Sequence, residues 1–294
     1  MRAAAPPPRL VVVATGPLAT IQDLGRSGFA HLGVPRSGAA DRGALRLANR
    51  LVGNPEHLAA LEVSLGGFAV RAVGDIAIAA TGADTQLLLD GRPTGRNATL
   101  LVHDGQHLLV GPPAHGCRTY LAVRGGVGAE PVLGSRSTDT LSGLGPSPLA
   151  VDDVVTAGGS GAAWPTTQSA PHRDDAAPTV VLAASPGPRA DRLVDSTALF
   201  AGTWTVSAAS NRVGTRLDRV DGPRLEHRPG LPELLSEGIA HGSVQVPPSG
   251  QPVLFGPDHP VTGGYPVIAV LTAESLDRAG QLTAGTTVRL RRVD

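Results

Sequence analysis

The sequence predicts a mainly-β protein built as two linked domains with a few short helices. Three observations carry this. Short aliphatic and β-branched runs recur between Gly-, Pro- and Asp-rich turns along most of the chain, the punctuation of barrels and sandwiches rather than of βαβ units. The 294 residues correspond to two domains at roughly 150 residues each. Between Gly158 and Pro178 a Gly/Ser-rich and then polar stretch has almost nothing to bury and reads as a joint. The expected boundaries are 1–160 for an N-terminal domain with one long helix, 161–178 for the linker and 179–294 for the C-terminal domain.

After a proline-rich start, Leu10–Val13 reads as a buried strand ending at Gly16-Pro17. Ala39–Val52 is the one long helix of the first half. Its apolar positions Leu45, Ala48, Leu51 and Val52 fall on one face, Ser37 stands where a cap belongs, Asp41 suits the first turn, and Gly53 with Pro55 stops it. Separate short strands follow at Ile76–Ala80, Gln86–Leu89, Leu100–Val102, His107–Val110 and Tyr120–Val123. Beyond the linker, strands are expected at Val180–Leu182, Trp204–Ser207, Ser243–Val246, Val253–Phe255, Val267–Leu271 and Thr287–Leu290. Short helices are expected near Asp191–Phe200 and Glu274–Ala279.

Composition removes several chemistries. The 25 basic residues balance 25 acidic ones, and all 25 are arginine. A neutral chain has no electrostatic footprint for nucleic acid. Without lysine there is no Schiff base, no P-loop lysine, no S-x-x-K pair, and no residue on which biotin could be attached. No apolar run approaches the roughly 20 residues of a membrane span, and the start lacks the long apolar segment of a secretory signal, so a cytoplasmic location is expected. A single cysteine, Cys117, excludes an internal disulfide and reads as a small buried hydrophobe. His103 and His107 flank the Asp104-Gly105 turn, which breaks the helical spacing a metal pair would need, and no metal site is expected.

Three segments are not explained by packing alone. The first runs Thr20-Ile21-Gln22-Asp23-Leu24-Gly25-Arg26-Ser27-Gly28 and on to Gly33-Val34-Pro35-Arg36-Ser37-Gly38. Glycines let backbone N–H groups approach a ligand, and arginine holds carboxylates bidentately; the competing reading is a glycine-rich loop with a solvated arginine. The second is Ser210–Leu217, with Arg212 and Arg216. The third runs from Ser236 through Gln245 to Asp258 and Thr262-Gly263-Gly264-Tyr265-Pro266. An aromatic hydroxyl and an acid beside two glycines suit a small polar ligand; a tight turn needing glycine at positive φ is the alternative.

These segments resemble the family of allophanate hydrolase subunit 2, also called the biotin-dependent carboxyltransferase family or the family of the 5-oxoprolinase C component. The matching stretches are Thr20–Gly28, Gly33–Asp41, Ala48–Asn54, Thr81–Asp84, Tyr120–Gly126, Leu133–Thr138, Ser236–Gly238 and Gln245–Pro247. They occur in the family's order from about Leu10 to Leu290. Where the family pattern reads D-R-Q-T-T-G-G-Y-P, this chain has Asp258-His259-Pro260-Val261-Thr262-Gly263-Gly264-Tyr265-Pro266, so His259 stands in place of an arginine.

The resemblance implies two cyclophilin-like β-barrel domains. It also implies partners: the B component of 5-oxoprolinase, which is like allophanate hydrolase subunit 1, and the A component, of the lactam-utilisation type. Two activities are attached to the family, ATP-dependent opening of 5-oxoproline to L-glutamate and carboxyl transfer from carboxybiotin to urea. The chain carries no carboxylase or carrier portion, which favours the first. A non-catalytic antagonist of a kinase inhibitor is the competing class. On this reading ATP serves the complex. Asp23, Asp258 and Tyr265 are the catalytic candidates. Gln22, Gly25, Arg26, Gly28, Ser37, Thr262, Gly263 and Gly264 are expected to bind substrate, and Arg212 and Arg216 phosphate.

Overall fold

The computed structural model describes residues 7–159, 163–172 and 177–294. Parts of the expected linker, 161–162 and 173–176, and the first six residues lie outside the described set. The chain divides into two compact units that are not simple halves. One takes the described residues of Met1–Gly25, Asp41–Thr138 and Gly143–Asp175; the other takes Arg26–Ala40, Asp139–Ser142 and the described residues of Ala176–Asp294.

In the first unit the strands are β1 (Arg9–Thr15), β2 (Leu18–Gln22), β3 (Ala60–Ser64), β4 (Phe68–Val73), β5 (Ile76–Leu89), β6 (Arg92–Thr94), β7 (Thr99–Val102), β8 (His107–Val123), β9 (Val127–Gly128) and β10 (Val154–Ala157). They form one antiparallel sheet in the order β2-β3-β8-β4-β1-β10-β9, with β5 lying against β8 and carrying β6 and β7. The sheet curls into a nearly closed barrel around Leu10, Val12, Leu61, Phe68, Ile78, Leu108 and Leu121.

Two pairs of expected short strands are single long ones. Ile76–Ala80 and Gln86–Leu89 are both parts of β5, and His107–Val110 and Tyr120–Val123 are both parts of β8. The intervening Gly and Pro residues signal turns, but the register shifts three times between Gly82 and Leu87. Such bulges absorb the irregular residues without ending the ladder. Likewise Gln168–Ala170, expected as linker, hydrogen-bond along Asn97–Thr99.

Helix α1 (Arg42–Leu51) begins later than expected. Its cap is Asp41, whose carboxylate accepts from the Ala44 N–H at 2.8 Å, the geometry that satisfies an orphan donor of the first turn. Ser37 is not the cap; it is buried with φ 53°.

The second unit holds β11 (Thr179–Pro186), α2 (Ala198–Ala201), β12 (Thr203–Val206), β13 (Gly214–Asp221), β14 (Glu237–Gly238), β15 (Ser243–Gln245), β16 (Val253–Phe255), β17 (Thr262–Gly263), β18 (Val267–Leu271), α3 (Ala273–Ala279) and β19 (Thr287–Arg292). Seven strands close a barrel in the order β11-β18-β15-β16-β13-β12-β19, and β14 pairs with β17 outside it. Closure comes from the parallel pairing of β11 with β19; the other barrel ladders are antiparallel. The barrel packs around Leu182, Leu217, Val244, Ile268, Val288 and Trp204, whose indole N–H donates to Leu199 O at 3.1 Å. The mainly-β, two-barrel expectation holds. The helix expected near Asp191–Phe200 is reduced to a 3-10 turn at Ala190–Arg192 and the single turn α2. Strand β13 has no counterpart among the expected elements. It carries Arg216, so that residue belongs to the barrel wall rather than to a ligand loop.

Candidate functional site

In the first unit, pleating sends alternate side chains to opposite faces of the sheet. Ile21, Leu61 and Leu121 enter the apolar core. The neighbouring positions Thr20, Glu62, Tyr120 and Thr81, paired strand to strand across β2, β3, β8 and β5, form a buried polar row on the other face. Helix α1 meets this face: Thr81 Oγ1 donates to Ala44 O (2.7 Å) and the Asp41 N–H donates to Tyr120 Oη (2.8 Å). Tyr120 Oη in turn donates to Glu62 Oε2 (2.7 Å), and Arg118 Nε lies 3.4 Å from Glu62 Oε1. Burial raises the Tyr120 hydroxyl well above its ordinary range, and the negative charges of Glu62 and Asp41 push the same way. The phenol therefore stays protonated and acts as a donor.

Gln22 follows Thr20 by two residues on this polar face. Its Nε2 donates to Thr20 Oγ1 (3.1 Å) and to Thr138 O (3.0 Å). Because a carbonyl oxygen only accepts, this contact fixes which amide atom is nitrogen. Oε1 is left buried without a hydrogen-bond partner, and so is Thr138 Oγ1.

Asp23, a candidate proton acceptor, is instead saturated. Its Oδ1 accepts from Ser135 Oγ (2.6 Å), Ser137 Oγ (2.6 Å) and the Gly25 N–H (2.8 Å), and Oδ2 accepts from the Arg136 N–H (2.6 Å). A carboxylate gripped by four donors, three of them on Oδ1, is an anchor for the 135–138 turn. The Gly25 N–H is spent on the same carboxylate rather than on a ligand.

In the second unit Asp258 is fully buried and forms a bidentate pair with Arg212: Nε to Oδ2 at 2.8 Å and Nη2 to Oδ1 at 3.0 Å. Thr140 adds its N–H (3.0 Å) and hydroxyl (2.7 Å) to Oδ2. Burial alone would raise this carboxyl, but the Arg212 charge and these hydrogen bonds hold it below the usual carboxylate range. Arg212 Nη2 also donates to Gly38 O (2.8 Å), and the Ser37 N–H donates to Pro257 O (3.1 Å). Arg26 is buried, not solvated; its Nη1 donates to Ser37 Oγ (3.2 Å) and its N–H to Arg36 O (2.8 Å).

Arg26, Ser37, Arg212 and Asp258 thus come together, although the sequence presents them as separate segments. The expected roles of Asp258 and Arg212 change, however: each neutralises the other. Arg216 stands elsewhere, its Nη1 donating to Ala209 O (2.6 Å). Thr262 and Gly263 form the β17 ladder with Gly238 and Glu237. Neither Gly263 nor Gly264 has positive φ, so no turn requires glycine there; a Cβ on Gly263 would make the side-chain ends of Ile239 and Gln245 shift. The Tyr265 ring is 49% exposed, with its backbone oxygen held by Gln245 Nε2 (2.9 Å). Gly28 has φ 97° and open space where a side chain would go.

His259, next to Asp258, is buried against Phe255 and stacks on His241 with ring centroids 6.1 Å apart. Its Nδ1 donates to Pro260 O (2.8 Å). Burial pushes the imidazole below its ordinary pKa, against the opposing pull of that bond and of Asp258 and Asp139.

Glu62, Arg118 and Thr140 are not singled out by the sequence, and Tyr120 and Thr138 stand in it only as ends of family-like stretches with no role assigned. The available signal was a charged or hydroxylated residue inside an otherwise apolar strand, as in Leu61-Glu62-Val63. Among the described residues, no group of three or more His, Cys, Asp or Glu side chains converges, and no helix is long and apolar enough to cross a membrane.

Comparison with known proteins agrees with the two-barrel fold. The family model described as carboxyltransferase domain, subdomain A and B, matches residues 32–292. The C component of the 5-oxoprolinase of Escherichia coli (strain K12) is 36% identical over 286 residues, covering 94% of this chain and 88% of that protein. Among solved structures, TTHA0988 is 33% identical with a TM-score of 0.87, and this chain, 99% covered, spans only 56% of that one. The K. lactis urea amidolyase superposes with a TM-score of 0.88 at 28% identity, covering all of this chain and 19% of the amidolyase. A match over nearly the whole length, joined to the same two-barrel fold, settles the kinship: the chain belongs to the carboxyltransferase domain family, subdomains A and B.

Proposed function

We propose that the chain is one component of a cytoplasmic, ATP-dependent 5-oxoprolinase that opens the 5-oxoproline lactam to L-glutamate. It would work with a B component like allophanate hydrolase subunit 1 and an A component of the lactam-utilisation type. The observation that carries this is the 36% identity to a 5-oxoprolinase C component over 94% of this chain and 88% of that protein.

A five-membered lactam is a stable amide, so its opening requires the carbonyl to be polarised and the departing nitrogen to be given a proton. The arginines expected to hold phosphate do not fit that task in this unit: Arg212 is neutralised by Asp258, and Arg216 is turned to Ala209. ATP is therefore assigned to the complex rather than to these side chains, and no step of this chain is built on it.

The likeness to urea amidolyase favours a second reading, carboxyl transfer to urea or a similar small amide with biotin carried on another chain. Reconstitution separates the two. The chain mixed with the A and B components should release glutamate from 5-oxoproline only when ATP is present, and the chain alone should show little turnover. Carboxylation of urea with a biotin carrier, and no glutamate release, would transfer the assignment to the second reading.

A further inference from the structure

We infer that the outer valine face of the first barrel is a self-association surface, which takes a second copy of this chain about a two-fold axis. The surface is independent of the reaction assigned above, because it is a property of the chain alone.

The face follows from the ladder. Leu10, Val12 and Val155 point into the core, so pleating turns Val11, Val13 and Val154 outward. Val11 pairs directly with Val154 across β1 and β10, and Val13 is the extra residue of the bulge where β1 shifts against β4. Val13 is 43% exposed and Val154 54%. The turn that enters β10 lies at the same level: the Asp152 N–H donates to Val12 O and the Val12 N–H to Asp153 O, both at 2.9 Å. Val151 of that turn is also exposed. The outer side of an antiparallel sheet is ordinarily polar. Neighbouring exposed valines in its place have the composition of a contact surface rather than of a solvated one.

Charge selects the occupant. Arg9 lies at one end of the strip, on the same side of β1 as Val11, and Arg71 on β4 is the register partner of Val11. Asp152 and Asp153 stand at the other end, beside Val12. Among the described residues neither arginine is engaged in an ion pair. Cations at one end and acids at the other make the strip complementary to itself. A two-fold axis through the valines brings Arg9 and Arg71 of each copy toward Asp152 and Asp153 of the other. Such a contact is isologous and closes at two copies. The 25 basic residues balance 25 acidic ones, so two copies meet near neutral pH without net repulsion. A partner carrying charge of one sign would leave one end of the strip unmatched.

The test is sedimentation velocity of the full chain alone at neutral pH and low salt. The mass should rise from one copy to two between about 1 and about 100 µM, the range a small interface supports. Val13→Glu combined with Val154→Glu should hold the chain at one copy with its Tm unchanged, because both side chains are exposed. Arg71→Glu and Asp152→Arg should each be monomeric, since each places like charges across both ends of the contact. Mixed in equal amounts, the two variants should form a heterodimer, in which the reversed charges face each other and the native ones do the same. A misfolded chain could not give that rescue. A wild-type chain that stays at one copy up to about 100 µM would overturn the proposal. So would a dimer that survives Val13→Glu with Val154→Glu, or a mixture that does not pair. A monomer whose Val13→Cys variant loses thiol labelling only when the B component is added would overturn it in favour of that partner.

Discussion

Replacing Asp258 by asparagine removes one charge and nothing else from the second unit. In the native carboxylate Oδ2 takes three donors, from Arg212 Nε and both Thr140 groups, and Oδ1 takes Arg212 Nη2. An asparagine oxygen at the Oδ2 position keeps three of these bonds but turns its NH2 group toward Nη2, donor against donor. Arg212, 3% exposed, is left charged without its counter-ion. Breaking a buried pair in this way costs about 3–5 kcal/mol. With a urea m-value of about 2 kcal/mol per molar, the unfolding midpoint of this unit should fall by about 2 M. The assay is urea unfolding followed by Trp204 fluorescence in a Trp164→Phe background, so that the signal reports the second barrel. A midpoint shift below about 0.5 M together with lost turnover would refute the argument, because Asp258 would then be a reacting group rather than a structural bolt.

Tyr120→Phe should destabilise the first unit by about 1–3 kcal/mol, since it strips a donor from buried Glu62 and an acceptor from the Asp41 N–H; thermal unfolding monitored by Trp164 reads it, and an unchanged Tm would contradict the network. The folded His259 imidazole has its pKa lowered by burial, so the unfolded chain takes up its proton first as pH falls. Its contribution to stability is complete above the unfolded value of about 6.5 and is lost as pH drops through the folded value; urea midpoints from pH 8 to pH 5 should decline less in His259→Gln than in the wild type. Tyr265→Phe should leave the unfolding midpoint unchanged, because the ring is half exposed. It should lower turnover of the complex about tenfold where the hydroxyl meets substrate; equal turnover would make it a surface ring.

Local structure is legible where a residue's immediate neighbours decide it. The strands β1, β11, β12, β16 and β18 and the helices α1 and α3 follow from short-range periodicity and caps, with ends displaced by a few residues. The long strands β5 and β8 look broken along the chain because Gly82, Pro112 and Pro113 signal turns locally; only pairing with a neighbour shows that a bulge can carry them. The candidate side chains are recognisable as types and segments, but several of their roles are not.

What the sequence by itself determined is the chemical inventory: arginine as the sole basic side chain apart from histidine, one cysteine, and motif segments rich in amides, acids and glycines. Tertiary structure decided how that inventory is spent. Asp23 and Asp258 look equally available as proton acceptors along the chain, yet one is saturated by the 135–138 turn and the other by an arginine 46 residues away. Gln22 and Thr138, 116 residues apart, become neighbours whose remaining polar atoms face no protein partner. Charge pairing and desolvation depend on distance and burial, which alternation and spacing along a strand do not encode. Whether a carboxylate bonds inward or an amide oxygen is left without a protein partner is therefore fixed only when the strands have closed.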